Sequence, residues 1–317
     1  MDEVVEDHDL FEGMSVDDLV RQMDKAWGFT AGELALGVEI LENMISDQRC
    51  IKFLSFPACI VAAGTRGVIR EIIKRHLVDI VITTCGTLDH DLARSWRKYY
   101  HGSFMMDDRR LHRKGINRLG NVLVPNESYG FIIEEKMQKL LQELWSEGVK
   151  EMSSQELAWE MGRRICSEDS ILYWAAKNEI PIYVPGLTDG AVGYQVWMFS
   201  QDHDLKINPL KDERELSDTI FTSGKTGALI IGGGISKHHT IWWNQFKGGL
   251  DYAVYITTAV EWDGSLSGAR VREAISWGKV KENAKHVTID GDATIILPIM
   301  IASLITRISQ NKKSITK

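Results

Sequence analysis

Apolar residues change their rhythm once along the chain. Between Ser15 and Asp47 the spacing is helical: Leu19, Met23 and Trp27 recur four apart, and Leu34, Leu36, Ile40, Leu41 and Ile45 follow Thr30. Ser15 and Thr30 stand where a side-chain oxygen would cap the first N–H groups of a helix. Beyond residue 47 the apolar residues gather into short continuous runs at 78–84, 180–184, 228–231 and 253–257. Runs without polar alternation predict strands covered on both faces, as in a parallel sheet. Between them lie amphipathic segments at 66–76, 88–99, 132–145, 155–165, 213–221 and 235–246. Alternating strands and helices predict the α/β class, with a doubly wound, mostly parallel sheet and right-handed crossovers. No linker rich in Pro, Gly or Ser divides the chain and no internal repeat is visible. The expected organisation is an N-terminal helical extension, residues 1–47, followed by a single α/β domain, residues 48–317.

Composition narrows the function classes. Acidic residues exceed basic ones to leave a net charge of −7 over 317 residues, the wrong sign for holding nucleic acid through its phosphates. The excess is compatible with cationic partners, and solubility alone would favour a charge of this size as well. Cys50, Cys59, Cys85 and Cys166 have no CxxC spacing and no neighbouring His cluster, so neither a metal site nor a disulfide framework is expected. They read as reduced, mostly buried thiols. The acidic N-terminus lacks the regions of a signal peptide, and the basic tail at 312–317 is short. The longest apolar run, 295–305, is interrupted by Pro298 and Ser303 and is too short to span a bilayer. A cytoplasmic protein without membrane association is expected.

In an open parallel sheet, binding sites form beyond the carboxyl ends of the strands, so the loops after the apolar runs carry the candidate chemistry. Gly232-Gly233-Gly234 follows one run and opens a helix, where backbone can approach a phosphate closely. Lys237 takes the place of the third glycine of a full dinucleotide fingerprint, so on local sequence alone a simple tight strand-to-helix turn is the favoured reading. His238 and His239 open the same helix, whose positive end disfavours imidazolium and leaves a ring able to accept a proton. A purely structural His pair is the alternative. The stretch from Glu261 to Arg270 concentrates carboxylates, hydroxyls and glycines, and Glu273 to Lys279 follows it directly. If the backbone there is extended, Trp277 and Lys279 face the same side. A Trp face holds a cation and desolvates a neighbouring amine, which then loses its proton more readily than the free value of about 10.4 implies. That chemistry makes a lysine a nucleophile for imine formation.

Several ordered motifs together resemble the deoxyhypusine synthase family. They are Ser276-Trp277-Gly278-Lys279, the Gly-Gly-Gly-x-x-Lys-His-His block from Gly232 to His239, Asp251 through Ile256, Leu187-Thr188-Asp189-Gly190, and Gly115 through Arg118 with Val124 through Glu127. The similarity extends over residues 53–305 and implies a Rossmann-like NAD-binding fold. It implies an NAD-dependent transferase that oxidises spermidine, carries the aminobutyl group on an enzyme lysine as an imine, and passes it to one lysine of a translation factor precursor. By resemblance Lys279 is the covalent lysine, and His238 faces the polyamine and moves protons. Glu273, Trp277, Asp263, Asn126 and His90 match polyamine-contacting positions. Thr84, Asp189, Gly233, Thr258, Ala259, Ser267 and Asp292 match NAD-contacting positions. Asp189 and Asp292 suit ribose hydroxyls, since an ionised carboxylate accepts two hydrogen bonds. Asp292 also suits a helix N-cap, and the two roles are compatible. The family further implies a homotetramer.

The chain departs from the eukaryotic pattern at points that bear on substrate choice. Tyr194 and Leu266 stand where aspartates are expected, and a pair of glutamates is replaced by Asp89 and His90. With Ile241-Trp242-Trp243-Asn244 and Glu261-Trp262, these residues resemble the archaeal branch. Fewer fixed charges imply looser polyamine choice, with agmatine as a second donor beside spermidine. The alternatives on this scaffold are a homospermidine synthase and an inactive NAD-binding paralogue that supports an active subunit.

Overall fold

The runs that read as buried strands form a mostly parallel sheet flanked by helices. A computed structural model describes residues 3–315, with side chains through Asn311, so the side chains of the basic tail lie outside it. The chain forms two compact units, Met1–Ser55 with Thr219–Lys317, and Phe56–Asp218.

In the first unit four strands pair in the order Val280–Asp290, Leu250–Thr257, Lys225–Ile231, Cys50–Ser55, and every pairing is parallel. The register sets Ile231 beside Ile256, and Thr257 beside Asp290. Three strands therefore end at one edge of the sheet. The strands at 228–231 and 253–257 are longer than their apolar runs, and two others, Cys50–Ser55 and Val280–Asp290, have no apolar run to announce them. Lys52 interrupts the first, and the second carries Lys281, Glu282, Lys285 and His286 among buried Val280, Val287 and Ile289.

Both N-terminal helices belong to this unit. Val16–Ala26 starts at the expected cap, a reciprocal box in which Ser15 accepts from the Asp18 N–H and Asp18 accepts from the Ser15 N–H. Thr30 is not a cap. It is the first residue of the helix Thr30–Ser46, and its hydroxyl donates to the Asp290 carbonyl. That helix buries Leu34, Val38, Leu41 and Met44. The final helix, Ala293–Ile315, runs through both Pro298 and Ser303, which interrupt the apolar run but not the helix. Its residues Ala293–Asn311 are long and apolar enough to cross a membrane by length and composition. Within the unit, however, Ile296, Leu297, Met300, Ile301 and Leu304 are buried, in a helix that packs against both N-terminal helices. Ser303 is itself buried and donates to Asp17.

The second unit pairs Ile80–Ile82 with Ile182–Tyr183 in parallel and adds a three-stranded antiparallel sheet from Tyr100–His101, Ile116–Leu119 and Val122–Pro125. The predicted helices are present here as Arg66–Lys74, Cys85–Trp96, Gly130–Ser146 and Ser154–Ile165. Ile171–Lys177 and Ala191–Ser200 join them; the second is apolar on most sides, so helical periodicity does not reveal it. Cys50 and Cys85 are buried as expected, whereas Cys59 and Cys166 are exposed.

Asp17 ties the N-terminal helix to the final one. Its buried carboxylate accepts from Arg307 Nε at 2.7 Å, Ser303 Oγ at 2.8 Å and Arg21 Nε at 2.9 Å. Burial alone would raise its pKa, but these bonds outweigh burial and hold it below the ordinary carboxylate value. A depressed folded pKa contributes stability that is present above the unfolded value, about 4, and is lost as pH falls through the lower folded value. Asp17→Ala is expected to cost about 3 kcal/mol, because buried Arg307 loses its close partner and keeps only the Glu42 carboxylate at 3.6 Å. Urea unfolding as a function of pH checks both points: the variant should lose stability near neutrality and show a flatter acid limb.

Candidate active site

The parallel register brings three loops out at one edge of the first unit. Gly232-Gly233-Gly234 follows Ile231, residues 258–270 follow Thr257, and Gly291-Asp292 follows Asp290. The glycine turn needs its glycines. Gly232 and Gly234 have φ of +65° and +74°, and a Cβ on Gly233 would lie 2.3 Å from Ser267 Oγ and 2.5 Å from its backbone nitrogen. The helix Gly234–Gln245 begins there without a side-chain cap, so its first N–H groups point out of the turn. Thr257 Oγ1 donates to the Ser267 carbonyl at 2.9 Å and accepts from the Ala259 N–H at 3.1 Å, which fixes the next loop on its strand. Thr258 and Asp292 are exposed at the same edge, and Asp292 accepts from the Thr294 N–H at the start of the final helix. It is an N-cap, as one of its two readings requires.

Four of the sequence candidates line one cavity of about 310 Å³: His238, Glu273, Trp277 and Lys279. The helix Val271–Ser276 lies between Arg270 and Trp277 and returns the chain toward the opposite end of the sheet. The Trp277 to Lys279 segment is not extended. It is the end of that helix, where Gly278 N–H bonds to the Ile275 carbonyl and Lys279 N–H to the Ala274 carbonyl, with Gly278 at φ +67°. This is the Schellman arrangement, and glycine supplies its left-handed residue. The turn still places Lys279 Nζ 5.2 Å from the Trp277 ring centroid, within cation–π range. Lys279 then enters the strand Val280–Asp290 at its amino end, away from the edge where the other candidate loops emerge.

His238 has its pKa lowered, by burial first and by Lys279 second, so its ring is neutral at pH 7. His239 is lowered further, to about 4, by burial and then by His238. Among the described residues lining the cavity, Glu273 is the one carboxylate, against Lys237, Arg270 and Lys279. Leu266, one of the departures from acidic residues, lines it as well. The buried Tyr255 hydroxyl has no protein hydrogen-bond partner there. Asp263 is not brought to the cavity wall. It is exposed, and its Oδ1 accepts from the Ser265 N–H at 2.7 Å, closing its own turn.

The other candidates lie in the second unit. Thr84 Oγ1 accepts from the Ala58 N–H at 3.1 Å, and Asp189 is exposed in the turn before the Ala191–Ser200 helix. His90 Nδ1 is 2.9 Å from the Tyr99 hydroxyl, and burial first, with Arg94 second, lowers its pKa to about 4. Asn126 Oδ1 accepts from Asn117 Nδ2 at 2.8 Å. Asp89, beside His90, is committed elsewhere: it accepts from Ala191 N–H, Val192 N–H and Tyr129 hydroxyl, and so caps a helix in which it is not a member. Tyr194, on that helix, is exposed beside Trp197. Among the described residues, no group of three His, Cys, Asp or Glu side chains is placed to hold a metal ion.

Sequence reasoning missed Lys237. It is 1% exposed, and its Nζ donates to the Leu266 and Ala269 carbonyls, both at 2.7 Å. Burial lowers its pKa to about 8, against Glu273, which raises it. A lysine at the glycine position of an incomplete fingerprint was the available signal; the burial was not readable.

The deoxyhypusine synthase family model matches residues 18–304. The chain belongs to the deoxyhypusine synthase family. It is 56% identical over 301 residues to a Picrophilus torridus protein described as a probable deoxyhypusine synthase, covering 95% of this chain and 96% of that protein. A Sulfurisphaera tokodaii protein of the same description is 52% identical over 304 residues, covering 96% and 97%. The crystal structure of a candidate deoxyhypusine synthase from Entamoeba histolytica shares the fold, with a TM-score of 0.65 at 19% identity over 95% of this chain and 97% of that one. A deoxyhypusine synthase is a transferase of hypusine biosynthesis, and the homospermidine synthase and inactive-paralogue readings draw no support from these relatives.

Gly278→Ala is expected to cost about 1 kcal/mol from the left-handed backbone alone and to displace Lys279 from Trp277. Thermal unfolding and the rate of aminobutyl transfer measure the two effects, and the rate should fall by more than the stability loss explains.

Proposed function

We propose that the chain transfers the aminobutyl group of spermidine, through an imine on Lys279, to one lysine of the translation factor precursor, with NAD as cofactor. The observation that carries this reading is the single cavity in which Lys279, Trp277, Glu273 and His238 meet. NAD fits the residues present in the first unit. The glycine turn at an uncapped helix start suits a phosphate, and Asp292, exposed at a neighbouring strand end, suits a ribose. Gly233, Thr258, Ala259, Ser267 and Asp292 would hold it there. When bound, NAD supplies a hydride acceptor for the amine and returns the hydride at the end.

The chain's own residues do the rest. Neutral His238 takes a proton from the secondary amine, which frees its lone pair. Lys279 attacks the imine carbon and expels the remainder of spermidine as 1,3-diaminopropane, the acceptor lysine then displaces Lys279 from the new imine, and Trp277 shields the reacting amine. Glu273 anchors an ammonium group of the polyamine. A cytoplasmic homotetramer is the expected form, which light scattering checks.

One carboxylate against three cationic side chains in the cavity is a weak grip on a polycation, so agmatine is expected to serve as a second donor. The intact mass of the translation factor after incubation with NAD and each amine identifies the donor. A kcat/KM preference for spermidine above about a thousandfold would overturn the looser choice. Lys279→Arg should keep NAD binding and lose transfer, since a guanidinium stays protonated. Borohydride added with spermidine and NAD should label Lys279, and a label on another residue refutes the assignment.

A further inference from the structure

Two lysines line the cavity, and only one is proposed to carry the substrate. They are held very differently. Lys279 is half-buried beside an indole ring that is 61% exposed. Lys237 is enclosed, with its ammonium shared between the Leu266 and Ala269 carbonyls and lying 4.3 Å from the Tyr255 ring centroid.

We propose that Lys237 is a positioning residue, whose tethered ammonium holds the 261–270 loop on the Gly234–Gln245 helix and is itself kept out of imine formation. The physical argument begins with the loop. Its carbonyls at Leu266 and Ala269 turn inward, where an unmet acceptor would be costly. Lys237 meets both, supplying two of its three N–H groups at once. The bracketed segment contains Ser267, which sits so close to Gly233 that not even a methyl group fits between them. Thr257 supplies a second tether from its own strand, and Ala269 leads into the helix that ends at Trp277. Loss of the Lys237 tether therefore loosens the glycine turn and the helix leading to Lys279 together. The same bonds explain why this amine does not compete with Lys279. Its attack on an imine carbon requires a neutral, freely directed lone pair, whereas two carbonyls 2.7 Å away hold it as a hydrogen-bond donor.

The functional consequence rests on Ser267 and Gly233 contacting NAD, whereas the tether does not. Lys237→Met keeps the stem and removes the donors. Hydrogen exchange at Gly268 and Ala269, whose N–H groups bond to the Ser265 carbonyl, should quicken by about tenfold or more. The NAD dissociation constant should rise by about tenfold, with a smaller change in KM for spermidine. Lys237→Arg, which restores donors, should recover part of the protection and serves where the methionine variant does not fold. In Lys279→Ala, borohydride with spermidine and NAD should leave Lys237 unlabelled. Unchanged exchange in Lys237→Met, no recovery in Lys237→Arg, or a label on Lys237 would overturn the proposal. Quickened exchange with an unchanged NAD constant would keep the tether and sink the NAD assignment of Ser267.

Discussion

Parallel pairing of Lys225–Ile231, Leu250–Thr257 and Val280–Asp290 is the constraint on which the site depends. Parallel strands cannot be joined by a tight turn, so each connection must cross back over the sheet, and all carboxyl ends come out at one edge. The neighbouring ends at Ile231, Thr257 and Asp290 thus gather the glycine turn, the 258–270 loop and Asp292, residues far apart in the chain. The return crossings matter as much. The helix Val271–Ser276 carries the chain from that edge back to the start of the last strand, so Lys279 reaches the cavity from the opposite end to Gly233.

The electrostatics of the cavity follow from that packing. Lys237, Arg270 and Lys279 face one carboxylate, Glu273, and the apolar Leu266 lines the same wall. Tethering Lys237 to two carbonyls moderates this imbalance by placing its charge against backbone dipoles. A net charge of −7 acts at longer range and would attract any polycation without selecting one. Specificity then rests on few fixed contacts. In the second unit, the Asp89 carboxylate is taken up by the Ala191 and Val192 N–H groups and the Tyr129 hydroxyl.

Legibility varied with the physical signal each element carries. Buried strands are continuous apolar runs, and four were readable for that reason. Val280–Asp290 was not, because it lies at the end of its unit's sheet and alternates charged residues with few buried ones. Ser15 was a readable cap because its partner Asp18 is three residues away. Thr30 was not, because its hydroxyl is taken by Asp290, far along the chain. Leu111, Val124 and the small antiparallel sheet around Asn126 gave no run long enough to register.

Residue order by itself determined the α/β class, the family and the identities of the candidate residues, because these depend on local periodicity and on ordered motifs. Tertiary structure alone decided which candidates meet. It gathered His238, Glu273, Trp277 and Lys279 around one cavity, left Asp263 in its own turn, and buried Lys237 as a tether. The physical reason is that a side chain's surroundings are set by strand register and helix crossing, which join residues tens of positions apart. Spacing cannot encode whether an amine 2.7 Å from two carbonyls is a clamp or, beside an indole, a nucleophile.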